Sequence, residues 1–383
     1  MEFSTCTDCD FRCETVCPAS RATRSYALRD FLRSYLEENV PISWPCMSCH
    51  SCDSVCPAGA SPRQLVLQSD REVLKTHETT VSDYCEEYKE RGRIGISAVD
   101  LDRLEFLDLH LDTGSAFDGW DKIVIFPGCI VSSRFPGLVL ELYQLLVALG
   151  ARQERIIVED NLCCGSFLQH ASADEFVEYG KHTLATLLHH GHDLLVLTAC
   201  GSCTSSLSEL ITAARADPAF AKRHVKDKQV DVMHYIELLS RPAVAPVVAS
   251  AINPVQDGQT IYFQFPCQAK TTDGPSRAEI TNQVRQFLER MGNTVKVPHD
   301  DLGCCGASVL DMLPEAAIEY GVRRLENING VDGPAVDSII IACGNCHRMY
   351  VDFRPSMEVE CGSIDREGPS VRFLLDLLVE RLK

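Results

Sequence analysis

Twenty of the 383 residues are cysteine, and most of them recur in fixed spacings. The first four read Cys6-Thr-Asp-Cys9-Asp-Phe-Arg-Cys13-Glu-Thr-Val-Cys17-Pro18, and the next four Cys46-Met-Ser-Cys49-His-Ser-Cys52-Asp-Ser-Val-Cys56-Pro57. Three cysteines in a tight run wrap one cubane iron–sulfur cluster, and a fourth followed by proline is lent to the neighbouring cluster. The two runs therefore predict two [4Fe-4S] cubanes, one on Cys6, Cys9, Cys13 and Cys56, the other on Cys46, Cys49, Cys52 and Cys17. The first run has three residues rather than two between Cys9 and Cys13, an irregularity a loop absorbs. Structural zinc also takes Cys-x-x-Cys ligands, but usually as two separated pairs per ion.

Ten further cysteines form two copies of a five-cysteine pattern. The first copy has Cys129, the vicinal pair Cys163-Cys164 before Gly165, and Cys200-Gly-Ser-Cys203; the second has Cys267, Cys304-Cys305 before Gly306, and Cys343-Gly-Asn-Cys346. Equivalent positions stand 138, 141 and 143 residues apart, which reads as a duplication with small loop changes. Adjacent cysteine side chains diverge, so a vicinal pair does not easily close on one tetrahedral ion and makes only a strained disulfide. Such pairs suit a group containing several irons. Cys85 and Cys361 lie outside every motif and read as buried or inert thiols.

The elements that must position these cysteines follow from the apolar pattern. Ile123–Phe126, Ile156–Val158 and Leu194–Leu197 are strand-like runs, each leading into a cysteine loop, and Ile261–Phe265, Val295–Val297 and Ile339–Ile341 repeat them. Helical patterns over 138–149, 175–190, 277–291 and 315–327 alternate with the strands, which predicts α/β halves with parallel sheets. Ligands of such sheets bind outside the carboxyl ends of the strands, where all ten cysteines fall. Between the first two runs, 19–39 reads as one helix, and Ser61-Pro62 as the N-cap and first residue of another. The chain thus divides into an N-terminal α-helical ferredoxin-like domain, 1–115, and a duplicated α/β domain, 116–383, with halves of about 116–250 and 251–383.

A net charge of −18 opposes binding to nucleic acid. The apolar runs are shorter than the roughly 18 residues that span a bilayer, so no membrane span is expected. The chain is long enough to bury its cores without disulfides, and it opens without a secretory leader pattern. Those features lead to the expectation of a reducing, cytoplasmic setting. No Gly-rich dinucleotide loop follows a strand, so electrons must come from a partner.

The five-cysteine pattern resembles the CCG domain of methanogen heterodisulfide reductases, and nearly the whole chain resembles a version in which the ferredoxin-like subunit is fused ahead of the catalytic subunit. Pro127-Gly-Cys129-Ile and Arg134-Phe-Pro-Gly137 are also similar to that catalytic subunit. The resemblance implies two noncubane [4Fe-4S] clusters, one on Cys129, Cys163, Cys164, Cys200 and Cys203, the other on Cys267, Cys304, Cys305, Cys343 and Cys346. It implies reduction of the coenzyme M–coenzyme B heterodisulfide between them during methanogenesis, with electrons arriving through the two cubanes. Cys343-Gly-Asn-Cys346 is followed by His347-Arg348-Met-Tyr350, where the family has a more apolar stretch. An anionic disulfide needs local cations; Arg134, Lys270, Arg277, His347 and Arg348 near the cysteine loops are candidates.

Three readings stand at this point. The first is an enzyme, an iron–sulfur disulfide reductase. The second is an electron-transfer subunit of a flavin-linked lactate, glycolate or glycerol-phosphate dehydrogenase; relatives of that kind commonly carry one incomplete five-cysteine set, and both are complete here. The third is a zinc-stabilised scaffold, which the vicinal pairs disfavour. Expected electron donors are a flavoprotein or cytochrome subunit, with a hydrogenase or formate dehydrogenase module as a further possibility.

Overall fold

The computed structural model describes residues 11–17, 19–20, 27–38, 44–46, 48, 51–57, 59–76, 109–111, 113–114, 116–225, 227–255, 258–269, 275–296, 304–310, 313–329, 335–361 and 368–382. Two four-stranded, all-parallel sheets carry the larger part. The first contains β1 (Lys122–Phe126), β2 (Ile156–Val158), β3 (Asp193–Thr198) and β4 (Gln229–His234) in the order β2-β1-β3-β4. The second contains β5 (Thr260–Gln264), β6 (Thr294–Lys296), β7 (Ser338–Ile341) and β8 (Ser370–Phe373) in the order β6-β5-β7-β8. The register repeats too: Ile123 pairs with Ile156 and Leu195, and Ile261 with Val295 and Ser338.

The central strands β1, β3 and β7 are covered on both faces, which is why Ile123–Phe126, Leu194–Leu197 and Ile339–Ile341 are continuous apolar runs with almost no exposure. Helices Pro136–Ala148, Ala173–Leu188 and Gly201–Ala216 connect the first sheet, and Arg277–Arg290 and Pro314–Asn329 take the corresponding places in the second. Their starts are chemically marked. Pro136 opens its helix, Ser172 accepts from the Glu175 amide, and Ser276 with Glu279 forms a capping box.

The halves exchange helices at their seam. Tyr235–Leu239, which follows β4, packs against Arg277–Arg290 of the second half, while Leu374–Leu382, which follows β8, packs against Pro136–Ala148 of the first.

The regular elements described in the N-terminal region are helices: Arg12–Val16, Leu28–Arg33 running into Ser34–Glu38, Ser51–Val55 and Pro62–Thr76. The single helix expected over 19–39 is interrupted: 19–20 are helical, Ala27 is extended, and a helix begins at Leu28. Ser61 does cap the last helix, its hydroxyl accepting from the Gln64 amide at 3.4 Å. That helix docks on the first half: the Arg71 guanidinium donates to the Gln169 carbonyl at 3.0 and 2.7 Å, and Arg63 meets Glu209 at 2.8 Å. No helix among the described residues is long and apolar enough to cross a membrane.

Candidate iron–sulfur centre

The first three strands of each half deliver cysteine beyond their carboxyl ends. In the first half, β1 runs through Gly128 into Cys129, β2 is followed by Cys163-Cys164, and Cys200 caps the helix after β3. In the second half, Cys267 follows β5, Cys304-Cys305 comes after β6, and Cys343 caps the helix Gly344–His347 after β7. Side chains otherwise distant in sequence therefore meet. The Cys129 and Cys163 sulfurs are 3.8 Å apart and those of Cys267 and Cys304 3.4 Å. Cys164 hydrogen-bonds with Cys203, and Cys305 with Cys346.

The two sets touch each other. Cys200 and Cys343 bring their sulfurs to 3.7 Å across the seam. Around them the halves interlock reciprocally, for a Cβ on Gly201 would meet the Ala269 backbone at 3.3 Å and one on Gly344 would meet Val131 and Ile130 at 3.0 and 3.1 Å. Ser202 donates to Gln268 at 2.5 Å and accepts from Asn345 at 3.1 Å, tying both Cys-x-x-Cys turns to the opposite half.

The thiols share a consistent electrostatic pattern. Hydrogen bonds from Cys163 and Cys203 hold Cys164 well below the usual thiol range, and Cys304 with Cys346 bring Cys305 down to about 6. Their donors are pushed up in turn: contact with Cys129 and burial raise Cys163, and contact with Cys305 and burial raise Cys346. At the seam, Cys200 and Cys346 lower Cys343. Behind it lies His234, fully buried, whose burial pushes its pKa down to about 4 and keeps it neutral.

The donor sets suit iron–sulfur clusters. Backbone amides of Gly165 and Gly306 point at Cys163 and Cys304 sulfurs at 3.5 and 3.4 Å, the kind of N–H···S contact that tunes cluster potentials. Gly128, at φ 77°, leaves room that a Cβ would take, 2.4 Å from the Cys203 sulfur. Among the described residues no three Cys, His, Asp or Glu side chains are grouped as around one metal ion. The sulfurs instead make a chain of pairwise contacts, which fits a group of several irons better than a single tetrahedral ion.

In the N-terminal region Cys13, Cys17, Cys46, Cys52 and Cys56 are described. Helix Arg12–Val16 packs on Ser51–Val55, so the two runs come together, and the Ser48 amide points at the Cys46 sulfur at 3.4 Å. Cys6, Cys9, Cys49, Cys85 and Lys270 lie outside the described residues, as does the Cys361 side chain.

Of the other predicted cations, Arg134 and His347 make contacts across the seam, and Arg277 and Arg348 lie against rings of the second half. Arg134 forms a two-pronged pair with Asp352, one arm at 2.8 Å. His347 packs between Phe135, at 4.4 Å between ring centroids, and Phe373, at 5.3 Å; burial lowers its pKa. Arg348 lies over the Phe353 ring and Arg277 over Phe265, with the Arg277 charge acting on Cys267.

Two tyrosines missed by the sequence reading complete the picture. Tyr179 presents its hydroxyl to Cys163 and its ring edge to Gly165. Tyr320 packs on Gly306 and donates to the Pro45 carbonyl at 3.0 Å. They stand 141 residues apart, the same offset as the Cys-Cys-Gly turns, and that shared offset was the available signal.

Comparison with known proteins agrees with this architecture. Residues 2–60 match the 4Fe-4S dicluster domain, and 123–208 and 261–350 each match the cysteine-rich domain. An uncharacterized iron–sulfur protein of Methanococcus maripaludis is 23% identical over 89% of this chain and 66% of its own length, and one of Methanocaldococcus jannaschii is 21% identical over 96% and 71%. The chain thus spans about two thirds of the length of these curated relatives. The crystal structure of a hypothetical protein from Helicobacter pylori shares the fold, with a TM-score of 0.52, 10% identity, and coverage of 93% of this chain and 66% of that one. Matched segments, paired sulfur sets and parallel sheets together make the chain an iron–sulfur electron-transfer protein in which a 4Fe-4S dicluster domain precedes a duplicated cysteine-rich domain.

Proposed function

We propose that the chain is a disulfide reductase, acting on the coenzyme M–coenzyme B heterodisulfide at the seam between its two five-cysteine sets. The carrying observation is the 3.7 Å approach of Cys200 to Cys343, which sets the two donor sets face to face. In this reading each set holds one noncubane [4Fe-4S] cluster, and the dicluster domain, within 1–115, holds two cubanes on Cys6, Cys9, Cys13, Cys56 and on Cys46, Cys49, Cys52, Cys17. When bound, such clusters supply single electrons and soft iron sites with affinity for thiolate sulfur.

The chain's own residues then have defined tasks. Burial of Cys164, Cys200, Cys305 and Cys343 excludes water from the seam, while Cys129, the exposed cysteine among those described, opens the first set to an incoming ligand. A disulfide divided between two facing sets needs one electron from each side to release two thiolates, and two protons to release them as thiols. Arg277, Arg348 and Lys270 are the cations proposed to receive the anionic groups of the substrate, with His347, whose charged form burial disfavours, as a hydrogen-bonding group beside them. A flavoprotein or cytochrome partner, associated with a hydrogenase or formate dehydrogenase module, supplies the electrons in the cytoplasm.

One observation favours the second reading, an electron-transfer subunit of a flavin-linked dehydrogenase. Arg134, expected to bind an anion, is neutralised by Asp352. The deciding experiment is oxidation of reduced viologen by anaerobically purified protein on addition of the heterodisulfide, with iron content measured on the same sample. Turnover that vanishes in Cys164→Ser and Cys305→Ser supports the reductase. Full iron loading without turnover sinks the heterodisulfide assignment and leaves the electron-transfer subunit or a reductase for a different disulfide.

A further inference from the structure

The equivalent tyrosines of the two halves have different partners. Tyr179 faces inward to Cys163, whereas Tyr320, fully buried, spans from the Cys304-Cys305-Gly306 turn to the dicluster domain. At one end, its Cβ lies 2.9 Å from where a Cβ on Gly306 would stand, one residue beyond Cys305. At the other, its hydroxyl donates to the carbonyl of Pro45, the residue immediately before Cys46. One side chain and one hydrogen bond therefore join the neighbour of a dicluster cysteine to the neighbour of a second-set cysteine.

The contact to the first half is of another kind. Arg71 reaches the Gln169 carbonyl, but Arg71 is fifteen residues beyond Cys56 and Gln169 five beyond Cys164. Arg63 does lead back to the dicluster run, pairing at 3.7 Å with Asp53, which meets the Cys52 sulfur at 3.6 Å, but on the far side it reaches Glu209, six residues beyond Cys203. That route passes through three side chains and ends away from the first set's cysteine turns, whereas Tyr320 makes the crossing with one.

We propose that Tyr320 makes the second cysteine set the point at which electrons enter the duplicated domain. The inference rests on the reading that the dicluster runs and both five-cysteine sets hold clusters. One electron leaves the dicluster cluster bound by Cys46 and is gained by the cluster of the second set; no bond breaks, no proton is transferred, and an external one-electron donor restores the first. The first set is filled afterwards, across the Cys200–Cys343 contact.

The test mixes the iron-loaded full-length chain with one equivalent of reduced methyl viologen and follows cluster signals by rapid-freeze electron paramagnetic resonance, with Cys164→Ser and Cys305→Ser proteins to assign the two sets. In the unmodified chain the second-set signal is expected before the first-set signal. In Tyr320→Phe, which keeps the ring and removes the hydrogen bond, the dicluster signal should persist and the second-set signal should arrive several-fold later. Midpoint potentials and the pulsed-resonance distance between clusters should be unchanged. Transfer at the original rate in Tyr320→Phe would overturn the proposal. So would slower transfer accompanied by a longer inter-cluster distance, because Tyr320 would then only hold the domain in place. Absence of both set signals in the unmodified, iron-loaded chain would remove the cluster reading itself.

Discussion

The two halves share strand order, cysteine placement and helix exchange, yet the cores behind their sulfur sets differ in polarity. Behind the first set stand Val124, Phe126, Thr183 and Leu207; at the equivalent positions of the second stand Tyr262, Gln264, Arg324 and Tyr350. The Gln264 side-chain oxygen accepts from Arg324 at 3.1 Å and from Tyr350 at 2.9 Å, and Arg324 also bonds the Tyr262 hydroxyl. A buried cation with aromatic hydroxyls thus backs one set, whereas the equivalent positions behind the other hold three hydrocarbon side chains and the Thr183 hydroxyl. Duplication kept the cysteine geometry and let the surroundings diverge, which makes two similar metal environments electrically unequal.

The sharpest way to separate the halves is to remove one vicinal thiol at a time. Cys164→Ser and Cys305→Ser should each lose about four of about sixteen irons, and each should abolish turnover. Iron analysis and resonance spectra of the two proteins should show loss of different signals; loss of the same signal from both would mean that the sets form one centre.

Glycine replacement comes next. Gly306, at φ 91°, would place a Cβ 2.4 Å from the Ala317 carbonyl oxygen, a backbone atom; Gly165, at φ 70°, would place one 2.8 Å from the Tyr179 ring. The left-handed conformation alone costs about 1–2 kcal/mol in each. Gly306→Ala should therefore melt well below Gly165→Ala, in which the ring can turn aside. Equal melting temperatures would argue against the difference between the turns.

The buried polar network offers a third contrast. Arg324→Met leaves Gln264 and Tyr262 short of a partner and should destabilise by about 2–3 kcal/mol, against about 1 kcal/mol for Thr183→Val, which removes one hydrogen bond to the Cys163 carbonyl. Arg324→Met should also lower the reduction potential of the second set and spare the first. A potentiometric titration that moves both together would contradict the electrical contrast.

The smallest effect belongs to the seam pair. The hydrogen bond from Arg134 holds the Asp352 carboxyl below its usual range, so its contribution is complete above the unfolded carboxylate pKa and is lost as pH falls through the lowered folded value. The pair is partly exposed and worth about 0–1 kcal/mol. Asp352→Asn should flatten the acid end of the stability curve slightly, as read by acid titration of unfolding. If Arg134 also receives an anionic substrate, the same variant should bind it more tightly.

Much of this arrangement was legible in the chain. Ile123–Phe126, Leu194–Leu197 and Ile339–Ile341 announce strands because central parallel strands are apolar on both faces. The edge strands β4 and β8 gave no such signal: Gln229, Asp231 and Arg372 interrupt them, as expected where one side meets solvent. The ten cysteines were placed correctly at the strand ends by counting alone. Which neighbours they would have was not, because the Tyr320–Pro45 bond joins residues 275 apart, and the Arg134–Asp352 pair joins residues 218 apart. Sequence periodicity carries no record of such meetings.

The reciprocal seam has one more implication. Gly201 lies against 268–269 and Gly344 against 130–131, and these contacts are the same contact with the two halves exchanged. It has the form of an isologous, two-fold interface, one that two copies of a single repeat would make with each other. In such a homodimer every substitution occurs on both sides at once, so an arginine suited to one side would be imposed on the other. Carrying both repeats on one polypeptide releases that constraint, and Arg324 opposite Thr183 is a difference that a homodimer could not maintain.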